Sequence, residues 1–144
     1  MENIPILAPA AVLVLWSLIV LVWVTLTRFP AFANMGVNLG NAEAGGRYVD
    51  VEPQMPARVN WKSHNYTHLM EQPTLFYAVV AILALAGEGM GFSVTVAWAY
   101  VVLRIAHSLW QCNVNTIPVR LSLFTLSTLC LWVLAINAVR ATLF

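Results

Sequence analysis

The sequence predicts an all-α integral membrane protein whose 144 residues form one domain, a four-helix up-and-down bundle. Hydrophobic residues make up 60% of the chain and charged residues only 9%, whereas a soluble domain carries about 25% charge. Four apolar runs have approximately the length of about 20 residues that a bilayer core requires. They cover approximately residues 6–27, 65–86, 92–112 and 119–143. The last two connections are short, so we expect successive helices to lie antiparallel.

The first apolar run carries no charge before Arg28. A cleaved signal peptide is the competing interpretation, because the Ala-Phe-Ala sequence at residues 31–33 resembles a cleavage site. However, residues 1–3 include no base, and the run is longer than the apolar part of a usual signal peptide. We therefore predict a retained membrane helix.

Residues 28–64 differ in composition from the rest of the chain. They are rich in glycine and proline, hold four of the seven Lys and Arg residues, and repeat with neither helical nor strand period. A long loop of this kind is often functional. We expect it to form a cytoplasmic lid or an access path.

Two shorter connections separate the remaining runs. Residues 87–91, Gly-Glu-Gly-Met-Gly, form a glycine-rich turn after the second run. Residues 113–118 interrupt the chain before the fourth run, and Pro118 suits the first turn of its helix.

The distribution of basic residues predicts the orientation of the bundle. The first loop holds Arg47, Arg58 and Lys62, and Arg120 flanks the third loop. The second loop has Glu88 and no base. Both odd-numbered loops are therefore expected in the cytoplasm, with the two termini on the far side of the membrane.

Charge and cysteine content exclude two further classes of protein. The net charge is only +1, and the chain lacks the cluster of basic residues that nucleic-acid binding requires. Cys112 and Cys130 lie in or at the end of apolar runs, which predicts buried, inert thiols and no disulfide framework.

Glu71 is the most informative residue, because it places an acid inside the second apolar run. A charged side chain in the hydrocarbon core costs on the order of 3 kcal/mol and usually marks a functional site. Its best partners are Arg104 and Arg120, in or beside later runs. Helical rise places Glu71 roughly 7–8 Å and Arg104 roughly 10 Å below the cytoplasmic surface. We predict that these three charges meet and bind a polar, acidic small molecule.

Histidines extend this predicted site. His64, His68 and Glu71 share one helix face by their spacing, and His107 lies one turn from Arg104. Two alternatives remain open: a purely structural ion pair between Glu71 and Arg104, and a metal site formed by the histidines with Glu71.

Three motifs in order resemble a known family. The second run carries Glu71, Pro73 and Phe76; the third reads Arg104-Ile105-Ala106-His107; the fourth begins Arg120-Leu121-Ser122-Leu123-Phe124. With four spans and a long first cytoplasmic loop, the chain resembles the MAPEG family, the membrane-associated proteins in eicosanoid and glutathione metabolism.

The chain also departs from that family's pattern. His64 stands where glutathione-binding members have Arg, and His68 where they have Asn, unless Asn65 takes that role one turn early. Gln72 and His107 replace positions that are often Tyr. The chain therefore resembles a divergent bacterial branch, which implies a bacterial inner membrane with periplasmic termini.

The resemblance implies a homotrimer that binds glutathione between neighbouring subunits and acts as a transferase or peroxidase on lipophilic electrophiles from the bilayer. Arginines suit the two carboxylates of glutathione, and a glutamate suits its ammonium group. By analogy Arg120 is the catalytic residue that stabilises the thiolate. The implied binding residues are Glu71, Arg104, His68, His64, His107, Asn65 and Gln72. A non-catalytic membrane subunit that keeps the family scaffold is the alternative function.

Overall fold

Helices dominate the computed structural model, which describes residues 4–37, 40 and 44–144. Four of them are long and apolar enough to cross a membrane, so the prediction of an all-α membrane bundle is confirmed. A short helix and a 3-10 turn, Glu52–Gln54, lie between the first two long helices. The helices are α1 (Leu7–Asn34), α2 (Tyr48–Val51), α3 (Ala57–Leu85), α4 (Phe92–Asn113) and α5 (Ile117–Leu143).

Short turns reverse the chain after α3 and after α4. Gly87 follows the α3 C-terminus with a φ of 78°, a left-handed conformation that glycine adopts without strain and that commonly ends helices. At the same end of the bundle, the Ile6 amide donates to the Gly89 carbonyl at 3.3 Å. Pro118 lies in the first turn of α5, as predicted. These turns place α3, α4 and α5 antiparallel in sequence.

The centre of the bundle is a continuous apolar core contributed by all four long helices. Phe76 of α3 and Tyr100 of α4 are fully buried, and their rings stack with centroids 4.3 Å apart. Large apolar side chains also cover the outside, among them Leu15 and Leu75. An apolar exterior of this kind matches a lipid environment. Cys112 and Cys130 are both free.

The first connection differs from the predicted loop at both ends. The expected loop began at residue 28 and continued to residue 64, whereas α1 continues to Asn34 and α3 begins at Ala57. Hydropathy detects the part of a helix that contacts lipid, and both helices extend beyond that part. The polar first two turns of α3 remain helical because they pack: Lys62 and Ser63 are buried.

The described part of this connection is docked against α1 and α3. The Arg28 guanidinium lies 3.7 Å from the centre of the Tyr48 ring and donates a hydrogen bond to the Ser63 hydroxyl. Tyr48 donates to Asn60 Oδ1 at 2.6 Å, and Asn60 donates to the Glu52 carbonyl at 3.0 Å. Burial raises the pKa of Tyr48, although the nearby Arg28 opposes this change. The tyrosine is therefore a neutral hydrogen-bond donor at physiological pH. The predicted role of the connection as a lid stays a prediction, and residues 38, 39 and 41–43 lie outside the described part.

Candidate functional site

The rotation of α3 about its axis decides which predicted site residues face inward. Its buried residues recur every three or four positions: Lys62, Asn65, Leu69, Pro73, Phe76, Val80 and Leu83, together with Ser63 at the first turn. Glu71 follows the buried Leu69 by two residues, which is a rotation of about 200°. The Glu71 side chain therefore points outward and is 62% exposed.

Arg104 of α4 is the most deeply buried charged residue of the candidate site. Its side chain is 0% exposed. Nη2 donates to the His68 carbonyl oxygen at 2.8 Å and lies 3.5 Å from His68 Nδ1. Nε and Nη1 are buried without a hydrogen-bond partner. A buried guanidinium with unsatisfied donors is costly, although Arg104 lines none of the three main cavities in the described part of the chain.

Glu71 and Arg104 form no ion pair in the described part of the chain. The basic group nearest to the Glu71 carboxylate is instead His68, whose Nε2 lies 3.9 Å from Glu71 Oε2. Arg104 binds the backbone of α3 on the inward side, while the carboxylate lies on the outward side of the same helix. The alternative of a structural Glu71–Arg104 pair fails for the same geometric reason.

His68, His107 and Phe124 form an aromatic group that we call the histidine cluster. The two imidazole rings stack with centroids 5.1 Å apart and an interplanar angle of 23°. The Phe124 ring lies 5.2 Å from His68 and 6.4 Å from His107. The Arg104 guanidinium lies 5.9 Å from the Phe124 ring centre. Side chains of α3, α4 and α5 therefore meet here, including Arg104 and His107 of the α4 motif and Phe124 of the α5 motif.

A cavity of about 390 Å³ opens beside the histidine cluster and is lined by His68, His107, Ile117, Arg120, Leu121 and Phe124. Arg120 Nη1 donates to Asn115 Oδ1 at 2.7 Å, and Arg120 Nε is buried without a partner. Asn115 has a φ of 60° in the α4–α5 turn, a left-handed conformation that asparagine tolerates better than most residues. This turn holds the second guanidinium at the cavity.

Two predicted binding residues lie away from this cavity, which corrects their predicted place in one site. His64 pairs with Glu52 of the first connection. Asn65 is buried and donates to the Ser108 hydroxyl at 2.6 Å, and Ser108 also accepts a hydrogen bond from Trp16 at 3.0 Å. Both residues therefore bind neighbouring elements of the bundle.

Gln72 lies one helical turn beyond His68, at a second cavity. Its Nε2 donates to Thr128 Oγ1 at 2.8 Å, and Tyr100 donates to Gln72 Oε1 at 3.4 Å. The second cavity, about 360 Å³, lies between α3 and α5 and opens on the outside of the bundle, where Leu75 and Trp132 are 61% and 63% exposed. Apart from Gln72 and Thr128 its lining is apolar: Leu75, Ala78, Val79, Leu131, Trp132 and Ala135.

The arrangement offers no metal centre within the described ranges, where no three His, Cys, Asp or Glu side chains converge. The predicted alternative required His64, His68 and Glu71 together with His107. His64 turns toward Glu52 instead, so that set is not assembled.

Comparison with protein families matches residues 6–140 to the MAPEG family. The chain belongs to the MAPEG family. The match includes α1, α3, α4 and all but the last three residues of α5, so the resemblance predicted from the motifs is confirmed. This MAPEG chain is accordingly an integral membrane protein. No curated protein and no solved structure matches it.

Sequence reasoning missed three residues that shape this MAPEG site. Asn115 orients Arg120, Ile117 lines the first cavity, and Thr128 anchors Gln72. Asn115 carries a weak signal, because asparagine before a helix often marks a turn. Ile117 and Thr128 have none, because an isoleucine or a threonine in an apolar helix is compatible with any side of the bundle.

Proposed function

We propose that this MAPEG chain is a membrane-bound transferase or peroxidase that uses glutathione, or a related thiol, against lipophilic electrophiles. The reaction takes place in the cavity between α3, α4 and α5, on the cytoplasmic side of the membrane. One observation carries the proposal: two guanidinium groups, Arg104 and Arg120, retain buried N–H groups without partners beside the histidine cluster. The enzyme lies in a bacterial inner membrane with its termini in the periplasm.

The charges of glutathione fit Arg120, which lines the cavity, together with Arg104 and Glu71, which lie next to His68 in the cavity wall. The ligand has two carboxylates and one ammonium group, and guanidinium pairs with carboxylates through strong, charge-assisted hydrogen bonds. Arg104 is suited to a carboxylate. Glu71, at the outer edge beside His68, is suited to the ammonium group. The cavity volume of about 390 Å³ lies within the usual range for small-ligand sites.

Activation of the thiol is the role of Arg120. A free thiol has a pKa of about 8.5, so it is mostly protonated at neutral pH. Lowering that pKa by about two requires roughly 2.7 kcal/mol of preference for the thiolate. One guanidinium in a water-poor site is able to supply this preference. Asn115 holds Arg120 by a single amide oxygen, so the remaining donors stay available for sulfur.

The apolar second cavity supports a lipophilic co-substrate. It begins one helical turn beyond His68, at the Gln72–Thr128 hydrogen bond, and continues between α3 and α5. A hydrocarbon group in this cavity would bring an attached electrophilic carbon toward the thiolate. The cavity that holds Arg120, proposed for the thiol, and the apolar cavity proposed for its partner therefore lie in sequence along α3 and α5.

A homotrimer would give the outward face of α3 a protein partner. Glu71, Ala78 and Ala81 are exposed on this helix. Small residues allow close approach of helices within the membrane. In the trimer a neighbouring subunit covers Glu71 and completes the ammonium side of the glutathione site.

Glutathione binding and thiolate formation test the proposal directly. Purified protein in detergent is titrated with glutathione by calorimetry, thiolate is followed by ultraviolet difference absorption, and conjugation is assayed with an aryl halide. Arg120→Gln is compared with Arg58→Gln, which makes the same change of charge at an exposed position at the start of α3. If Arg120 accounts for the full stabilisation, its loss lowers the thiolate fraction at pH 7 about 25-fold, and the two proteins converge above pH 9.

The control variant should behave as the unaltered protein does. Absence of both binding and conjugation in the unaltered protein would overturn the enzymatic proposal and leave the non-catalytic scaffold subunit. The positions of His64 and Asn65, which face away from the cavity, are the observations that favour this second function.

A further inference from the structure

A third cavity lies at the end of the bundle opposite the histidine cluster. It has a volume of about 740 Å³ and lies between the α3–α4 turn, the start of α4 and the end of α5. Its lining combines two opposite charges, polar groups and aromatic rings, namely Glu88, Phe92, Ser93, Asn137, Arg140 and Phe144. Neither the thiol chemistry nor the histidine cluster uses any of these residues.

The two charges at this cavity do not neutralise each other. Among the described residues, Glu88 and Arg140 form no ion pair with each other or with any other side chain. Both residues are exposed, so each charge is accessible from the cavity, and together they are complementary to a ligand that carries both charges. A zwitterion satisfies both, whereas a simple anion leaves Glu88 facing a like charge.

The start of α4 adds a site for the anionic part of such a ligand. Gly91 precedes the helix, and no side chain caps its first turn. Helix N-termini carry free N–H groups and a partial positive charge that favour phosphate. Ser93 in this turn is only 6% exposed, lines the cavity, and its hydroxyl forms no hydrogen bond within the described structure. The Ser93 hydroxyl is not among the fully enclosed polar atoms that lack a partner, so it is accessible from the cavity and available to a polar ligand.

The surroundings of the cavity indicate a lipid as the source of this ligand. Met90 and Phe92 are 65% and 67% exposed beside it, and Phe144 is at its edge. The helix ends that form the cavity terminate membrane-spanning segments, so the cavity lies at the level of lipid headgroups. Exposed apolar side chains next to polar groups suit a molecule with acyl chains and a charged head.

We propose that this cavity binds the headgroup of a glycerophospholipid with a primary ammonium group, as in phosphatidylethanolamine. The phosphate binds Arg140, the Ser93 hydroxyl and the N-terminus of α4. The ammonium donates hydrogen bonds to Glu88. A quaternary ammonium has no N–H to donate, and a glycerol headgroup has no positive charge, so both bind less tightly.

Lipid titration of the full chain, followed by native mass spectrometry, tests the proposal. The probes are phosphatidylethanolamine, phosphatidylcholine and phosphatidylglycerol of matched acyl chains, with soluble phosphoethanolamine as a competitor. Arg140→Gln should weaken binding of all three lipids about tenfold, since hydrogen bonds to charged groups have that order of effect. Glu88→Gln should abolish the preference for ethanolamine over choline while leaving choline-lipid binding unchanged. Arg58→Gln, at the other end of the bundle, should leave lipid binding unaltered.

Three results would overturn the inference. One is equal affinity of the unaltered protein for the ethanolamine and choline lipids. Another is an equal loss of lipid binding in Arg140→Gln and Arg58→Gln. A third is competition by soluble phosphoethanolamine as strong as that of the lipid, which would assign the site to a free phosphate compound. Glutathione binding should remain intact in Arg140→Gln, so failure here is separable from failure of the proposed function.

Discussion

Replacing Ser108 by alanine should lower the free energy of unfolding substantially, because the lost hydroxyl oxygen accepts two hydrogen bonds from other helices. Ser108 is fully buried in α4. Its Oγ accepts hydrogen bonds from Trp16 Nε1 of α1 at 3.0 Å and from Asn65 Nδ2 of α3 at 2.6 Å. One atom therefore links three of the four long helices.

The magnitude follows from the two donors that lose their acceptor. A buried donor left without a partner costs about 1–3 kcal/mol, and interhelical hydrogen bonds measured in a membrane protein reach about 1.7 kcal/mol. Two donors at about 1–1.5 kcal/mol each give a loss of about 2–3 kcal/mol for Ser108→Ala. Trp16→Phe removes a single donor and leaves Asn65 bonded, so it should cost less.

Unfolding by sodium dodecyl sulfate in mixed micelles, followed by circular dichroism, measures these free energies. Ser122→Ala is the matched control, because Ser122 is exposed and its hydroxyl bonds only the Pro118 carbonyl of its own helix. It should change stability by less than about 0.5 kcal/mol.

The decisive comparison is between the Trp16→Phe/Ser108→Ala double variant and the sum of the two single variants. Trp16→Phe removes one of the donors that Ser108→Ala would orphan, so the combined loss should be smaller than the sum by about 1 kcal/mol. Full additivity, or a loss in Ser108→Ala no larger than in Ser122→Ala, would refute the reasoning.

Three further changes test the packing and the cavities. Gly89→Ala should cost about 1–2 kcal/mol, because its new methyl group would lie 2.9 Å from Ile4 Cγ2 and 3.1 Å from Ile6 Cγ2; adding Ile4→Ala should restore part of the stability in the same unfolding assay. Phe76→Ala should cost about 3–5 kcal/mol, since its fully buried ring is removed, and a loss below about 1 kcal/mol would contradict the packing. Thr128→Val removes the partner of Gln72; it should raise conjugation of long-chain relative to short-chain electrophiles while glutathione affinity, measured by calorimetry, stays constant.

Composition and hydropathy were sufficient to predict the four membrane helices, because lipid selects side chains by polarity alone. The same signal could not predict where the helices end. Residues 57–64 are polar yet helical, since they pack against α1 and the first connection. The helix limits outside the membrane depend on these tertiary contacts.

The candidate site shows a similar division. His68, Arg104, His107 and Arg120 were predicted from residue type and spacing, and the structure brings them together around the histidine cluster. The direction of the Glu71 side chain was not predictable. The spacing of residues on one helix fixes the angles between their side chains, but it does not fix which side of the helix packs against the other helices. The partners of buried polar groups depend on other helices, and no pattern local to one helix reports them.

The hydrogen bond from the Ile6 amide to the Gly89 carbonyl limits when the start of α1 is able to complete its folding during synthesis. The amide of Ile6 is fully buried, yet its acceptor is synthesised more than eighty residues later, after the whole of α3. Until the ribosome has passed that turn, the start of α1 lacks its native acceptor. The start of α1 is synthesised before the other long helices, but it is therefore among the last parts to reach its final conformation.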